Sequence, residues 1–329
     1  MKESRMLTQQ TPWFKKPFFS RFVLKFLLFG LTCFVVDRAV GGIYRYFFNR
    51  QTKGPEYQTR IAMEVTTDEV LVFGSSRAEW MINPQIIEER LGMSCYNVGR
   101  MGKPIMYHYA ILQSALSRYK PKMAILAIDG ANFIQNKQKY EELSSLFPYY
   151  RSHPEIRPMA ELREENVRIK LLSALYPYNS LFFQILAGNT DLNNDRYELA
   201  YKGFNPRKSF FSDFEKDLES TRDKALDTVQ VGLFRRFIAD CKNHNIDLYM
   251  VCPPYQQDIR FDKSLQLAKS IAAENKVPFF DRSFDSAYVN HPDLFLDFRH
   301  LNPRGADKLT TDLVQQIAAL RKPDASKGQ

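Results

Sequence analysis

Apolar residues in this chain fall into two alternating patterns. Short, nearly continuous runs occur at Glu69-Val-Leu-Val-Phe-Gly74, Ser94-Cys-Tyr-Asn-Val98, Met123-Ala-Ile-Leu-Ala-Ile128, Ile246-Asp-Leu-Tyr-Met-Val-Cys252 and Val277-Pro-Phe-Phe280. Runs of this length, without polar alternation, predict strands buried on both faces. Helical spacing fills the gaps. Val229, Leu233, Phe234, Phe237, Ile238 and Cys241 fall on one stripe, as do Ala306, Leu309, Leu313, Ile317 and Leu320. Before the second stripe, Asn302 is placed to cap and Pro303 takes the first helical position. Strand-helix alternation predicts a parallel sheet with helices on both faces. Ligands of such sheets bind at the carboxyl ends of the strands. That rule selects Gly74-Ser75-Ser76, Gly99 to Gly102, Asp129-Gly-Ala-Asn132 and Pro253-Pro254.

Two regions depart from this rhythm. Residues 22–44 open with the apolar stretch Phe22 to Val36 and are long enough to suggest an N-terminal transmembrane helix. The basic tail 1–21 precedes it with Lys2, Arg5, Lys15, Lys16 and Arg21, which places the N-terminus in the cytoplasm and the body outside. No small-x-small cleavage site follows the run, so a retained anchor is expected rather than a signal peptide. The rival reading is an amphipathic helix packed on the body or on a membrane surface. Residues 45–66, polar with Gly and Pro from Asn49 onward, read as a linker, and 323–329 as a polar tail. Within the α/β domain, 67–322, lies an insertion at about residues 134–225, rich in aromatics and Pro, with a helix expected around 159–173. It reads either as extra helices on the sheet edge or as a lid or substrate-recognition layer.

Composition adds limits. A chain of 329 residues with 44% hydrophobic and 25% charged residues is globular, with a sizeable core. The net charge of +9 is an N-terminal property: residues 1–60 hold 11 Lys and Arg against 3 Asp and Glu, and the rest 35 against 34. A balanced body lacks the basic face that phosphate neutralisation requires, so nucleic acid is not an expected partner. Four scattered cysteines form no CxxC pair and suggest neither a disulfide scaffold nor a zinc knuckle.

Candidate chemistry lies at the strand ends. Ser76 enters a turn directly after a buried strand, where its hydroxyl can project at the sheet edge. Asp297 and His300, in Asp297-Phe-Arg-His300-Leu-Asn-Pro-Arg-Gly305, can supply a base and its orienting carboxylate from one loop, since a serine hydroxyl is inert at neutral pH without an imidazole to take its proton. As a metal pair they lack further ligands at suitable spacing, and no metal or cofactor is expected. Gly102 and Asn132 follow the second and third strands, where a backbone N–H and a side-chain amide can meet an oxyanion. The remaining histidines, 108, 153, 244 and 291, have no carboxylate in ordered spacing. Read singly, each of these features is also ordinary turn chemistry.

In this order they resemble the SGNH, or GDSL-like, hydrolase superfamily. Phe73-Gly-Ser-Ser76 matches its first block, with Ser75 where many members carry Asp. Asn97-Val-Gly-Arg-Met-Gly102 matches the second, Gly130-Ala-Asn132 the third, and Asp297-x-x-His300 the last. The third block usually ends Asn-Asp, and here reads Asn132-Phe133. The resemblance covers about residues 67–133 and 246–320. It implies a three-layer α/β/α, flavodoxin-like parallel sheet. It also implies Ser76 as nucleophile, His300 as general base, Asp297 as its orienter, and an oxyanion hole of the Ser76 and Gly102 N–H groups with the Asn132 side chain. The Gly-Ser-Ser block is most similar to membrane-anchored envelope branches, among them the teichoic-acid D-alanylation and alginate O-acetylation proteins. This similarity implies an extracytoplasmic (periplasmic) acyl-esterase or O-acyltransferase, acting through an acyl-serine on an envelope glycan or related carrier. A membrane-bound O-acyltransferase is the partner implied. The alternative is a catalytically silent scaffold of an envelope-polysaccharide modification assembly.

Overall fold

The computed structural model describes residues 16–191, 197–198, 200–208, 225–256, 259 and 262–321, with side chains from residue 20. The tail at 323–329 and most of that at 1–21 lie outside the described residues. The five apolar runs form strands β1 (Val70–Phe73), β2 (Cys95–Asn97), β3 (Met123–Ala127), β4 (Asp247–Cys252) and β5 (Phe279–Asp281). All pair in parallel, in the order β2-β1-β3-β4-β5, with Val72 opposite Ile125 and Leu126 opposite Met250. β5 starts later than expected, because Pro278 has no N–H for a ladder.

Alternation of side chains across the strands builds two cores. Leu71, Phe73, Leu126 and Met250 pack with residues of the helices Ile105–Arg118, Thr228–Asn243 and Lys263–Glu274. Val70, Val72, Ile125 and Val251 pack with Ile87, Leu313 and Ile317 of the helices Pro84–Leu91 and Pro303–Arg321. Both faces are therefore dry, and each of these large apolar side chains contributes roughly 1.5–3 kcal/mol by leaving water. Asn302 caps the last helix as expected, its side-chain oxygen accepting from the Gly305 N–H at 3.0 Å. The chain runs from β1 to β2 on one side and then crosses to β3 on the other. A crevice consequently opens at the carboxyl ends of β1 and β3.

Three expectations need correction. Among the described residues no helix is long and apolar enough to cross a membrane, so the transmembrane helix expected over 22–44 is not found. A helix does run over Lys16–Arg50, but Lys25, Asp37 and Arg38 interrupt its apolar run, and the part from Asp37 onward belongs to the body. Asp37 accepts from the Ser173 hydroxyl, from the Ala174 N–H at 2.8 Å and from the Leu175 N–H at 3.2 Å. Phe48 is buried against Tyr149 and Tyr178. Residues 20–36 are exposed throughout, with large apolar side chains exposed from Phe22 to Val36. The linker expected after the helix is instead packed structure: Pro55–Arg60 is helical, and Glu56, Thr59, Ala62 and Met63 are buried. The single helix expected at 159–173 is broken into Arg157–Ala160, Glu161–Arg163 and Val167–Lys170. Extended backbone at Glu164 makes the break, and its carboxylate takes hydrogen bonds from Arg163, Lys170 and Tyr176.

Candidate active site

β1 delivers Ser76 to the crevice through a turn that its neighbours make obligatory. Gly74 has φ +139°, and a Cβ there would lie 2.9 Å from Ala127 on the adjacent strand, so only glycine fits. Ser75 then caps the short helix Ser76–Glu79, and its hydroxyl donates to Asp129 at 3.1 Å. That bond ties the ends of β1 and β3 together. Asn97, buried at the end of β2, donates to the carbonyls of Ala78 and Ile82 at 2.8 Å each, and accepts from the Gly99 N–H.

The loop before the last helix brings His300 to Ser76 across 224 positions of sequence, with Ser76 Oγ and His300 Nε2 2.8 Å apart. On the far side of the ring, Nδ1 is 2.8 Å from one Asp297 carboxylate oxygen and 3.1 Å from the other. The proton on Nδ1 satisfies both bonds: Nδ1–H donates to Asp297, and Nε2 accepts from the serine hydroxyl. Asp297 also accepts from the N–H groups of Arg299 and His300 at 2.8 Å. Burial works to raise its pKa, but the hydrogen bond and charge of His300 together with those N–H groups outweigh burial and hold the carboxyl below its ordinary value. For His300 burial is the largest influence and lowers the pKa. Asp297 pulls it back, Arg77 and Arg299 push it down, and the result lies below the ordinary imidazole value. The ring is 1% exposed and packs on Trp80 at 4.7 Å between centroids.

Gly102 and Asn132 line the same cleft, which encloses about 620 Å³. Gly102 has φ +75° and open space where a Cβ would be. The N–H groups of Ser76 and Gly102 and the Asn132 side-chain amide meet no acceptor among the described residues. The Asn132 oxygen is occupied by the Asp129 N–H at 3.2 Å, which leaves the NH₂ end for the cleft. No group of three or more His, Cys, Asp or Glu among the described residues could hold a metal ion.

Several residues that shape the site were not apparent from sequence. Glu79 is buried, and burial raises its pKa. Its carboxylate accepts from the Met101 N–H at 2.6 Å and so fixes the loop that ends at Gly102. Lys139, from the insertion, donates to the carbonyls of Ala131, Asn132 and Ile134, gathering the turn that carries Asn132. Arg77 reaches the His300 loop. Only Asn97 carried a signal, as an amide at the end of an otherwise apolar run. The insertion also proves to form a wall of the cleft, through Glu142, Ser144, Ser180 and Gln184.

No family model matches the sequence, and no curated protein matches it. Among solved structures, the acetyl xylan esterase AlAXEase aligns with 77% of this chain and 100% of its own, at 13% identity and a TM-score of 0.36. Two variants of Axe2, an acetyl-xylooligosaccharide esterase from Geobacillus Stearmophilus, align with 77% of this chain and 94% of theirs, at 11% and 10% identity and a TM-score of 0.37. Likeness at this level carries no argument about the chemistry, which rests on the residues themselves.

Proposed function

We propose that the chain is a serine acyl-esterase or O-acyltransferase working through an acyl-serine intermediate. The observation that carries this reading is the continuous hydrogen-bonded path from Ser76 through His300 to Asp297. Ser76 Oγ attacks an ester carbonyl while His300 Nε2 takes its proton. The resulting oxyanion faces the Ser76 and Gly102 N–H groups and the Asn132 amide. Collapse breaks the bond to the leaving alkoxide, which receives the proton from His300. Water or a sugar hydroxyl then attacks the acyl-serine, gives its proton to His300, and releases the acid or the new ester as Ser76 regains its hydrogen.

The acceptor side of the reading is a cell-envelope glycan or related carrier. A cleft of about 620 Å³ is far larger than a short acyl group needs and falls in the range that encloses larger ligands. Two of the cations that line it are paired within it, Arg100 with Glu56 and Lys103 with Glu142. On the insertion side, Ser144, Ser180 and Gln184 make no side-chain hydrogen bond to another described residue, and so suit a polyhydroxyl ligand. The segment 22–36, whose large apolar side chains are exposed with Lys25 the one charge among them, seats against a lipid surface that covers them. An extracytoplasmic body rests on the envelope-type Gly-Ser-Ser block. A membrane-bound O-acyltransferase as partner rests on the envelope-type Gly-Ser-Ser block alone.

The deciding experiment is hydrolysis of 4-nitrophenyl acetate by the full chain and its Ser76→Ala variant, with fluorophosphonate labelling. Labelling and turnover that both vanish with Ser76 support the reading. A wild-type protein that neither labels nor turns over leaves the scaffold alternative standing.

A further inference from the structure

Arg77 follows the nucleophile directly and is 2% exposed. Its guanidinium lies 3.6 Å from the centroid of the Tyr255 ring. One terminal nitrogen donates to the carbonyls of Pro253 at 2.5 Å and Pro254 at 3.0 Å, and the other donates to the carbonyl of Arg299, one residue before His300. Tyr255 extends the contact to the third strand end, its hydroxyl oxygen accepting from the Gly130 N–H at 3.2 Å. Arg77 has no carboxylate within ion-pair distance among the described residues. A buried cation held only by carbonyls and a ring is costly to the fold, and carbonyl dipoles do not cancel its net charge.

We propose that Arg77 is a positioning residue for the proposed acyl transfer, fixing the His300 loop against the nucleophile turn and setting a permanent positive charge behind the imidazole. The inference rests on the reading of Ser76 and His300 given above. It has two consequences. Fixing the loop keeps Nε2 within reach of Ser76 Oγ, where small displacements reduce the rate steeply. The charge opposes protonation of the ring, in the same direction as its burial. Among the described residues, the groups around that ring include Asp297, which favours protonation, Arg299 and Arg77, which oppose it, the Ser76 hydroxyl, and the neutral Trp80 ring with Arg207 over it at 5.0 Å.

The test uses the full chain with Arg77→Gln and Arg77→Lys. Ring titrations are followed by NMR, and the His300 signal is assigned by its loss in His300→Gln. Arg77→Gln removes the charge and should raise the His300 titration midpoint by roughly half a unit to one unit, moving the acid limb of 4-nitrophenyl acetate hydrolysis with it. Arg77→Lys keeps the charge but not the fork, so it should leave the midpoint in place and lower kcat roughly tenfold at unchanged KM. An unmoved midpoint in folded Arg77→Gln overturns the proposal. If that variant does not fold, Arg77→Lys decides: wild-type kcat, or a midpoint displaced as far as that expected on loss of the charge, overturns it. The midpoint needs no turnover. A wild type without Ser76-dependent activity would therefore refute the functional reading separately from Arg77.

Discussion

The two walls of the cleft are built on opposite principles. On the sheet side, the polar side chains that position Ser76 are committed to partners: His300 to Asp297, Asn97 to three backbone groups, Glu79 to the Met101 N–H. On the insertion side, Ser144, Ser180 and Gln184 keep their hydrogen-bonding capacity for the cleft. Proton transfer tolerates little misplacement, which favours a wall whose rotamers are fixed by buried bonds. Recognition of a hydroxylated ligand needs unspent donors and acceptors. Substitutions on the first wall should therefore act on kcat, and those on the second on KM.

The largest effect is expected at Ser76. Ser76→Ala should lower kcat for an acetyl ester by at least ~10³-fold while leaving the fold intact, because only one half-buried hydroxyl of the turn is lost. Equal turnover by the variant would remove the sheet-side wall from the chemistry altogether. Next is Asp297→Asn, which keeps shape but presents an NH₂ to Nδ1 and favours the wrong tautomer. A drop of about 10²–10⁴-fold in kcat at similar KM is expected. A KM effect alone would mean that Asp297 holds the loop and not the ring.

The pH profile sharpens the same wall. The His300 pKa lies below its ordinary value, with burial as the main cause. A base must be unprotonated, so kcat/KM should stay level as pH falls from about 8 through about 6.5 and decline only below that, about tenfold per unit once the ring is charged. A decline that begins above about pH 7 would contradict the buried, Arg77-flanked setting of the ring.

How much of this was legible beforehand depends on what periodicity encodes. The runs at 70–73, 123–127 and 247–252 report their own burial, so the parallel sheet and its carboxyl edge could be read directly. The motif order placed Ser76, Asp297 and His300 at that edge, and in the structure the three are hydrogen-bonded in sequence. Contacts between distant polar groups leave no such trace: Arg77 meets Arg299 across 222 positions, and nothing in Ser-Arg-Ala-Glu marks it. Residues 55–65 misled for a related reason. Glu56 and Arg100 look solvated in isolation, but form a buried ion pair at 2.5 Å only once the fold brings them together.

Asn97 tests whether the sheet-side wall is stability or chemistry. Asn97→Ala leaves the Ala78 and Ile82 carbonyls and the Gly99 N–H short of a buried partner, a loss of about 2–3 kcal/mol in unfolding free energy by denaturant titration. Because those bonds hold the chain that follows Ser76, kcat should fall as well, by roughly tenfold in the folded fraction. A destabilised variant with wild-type kcat would show that the turn keeps its shape without the amide.

The smallest effect belongs to the insertion wall, and it is the one that separates the walls most cleanly. Ser180 and Gln184 are exposed and bonded to no other described side chain, so replacing both with Ala should leave stability and 4-nitrophenyl acetate hydrolysis unchanged. If they hydrogen-bond a sugar, each lost bond removes about 0.5–1.5 kcal/mol of binding. The KM for an acetylated oligosaccharide should then rise roughly threefold to tenfold per residue at constant kcat. A fall in kcat on the small ester would place the insertion in the chemistry itself and erase the division. An unchanged KM on the oligosaccharide would leave the rigid wall intact and take the glycan away from the other.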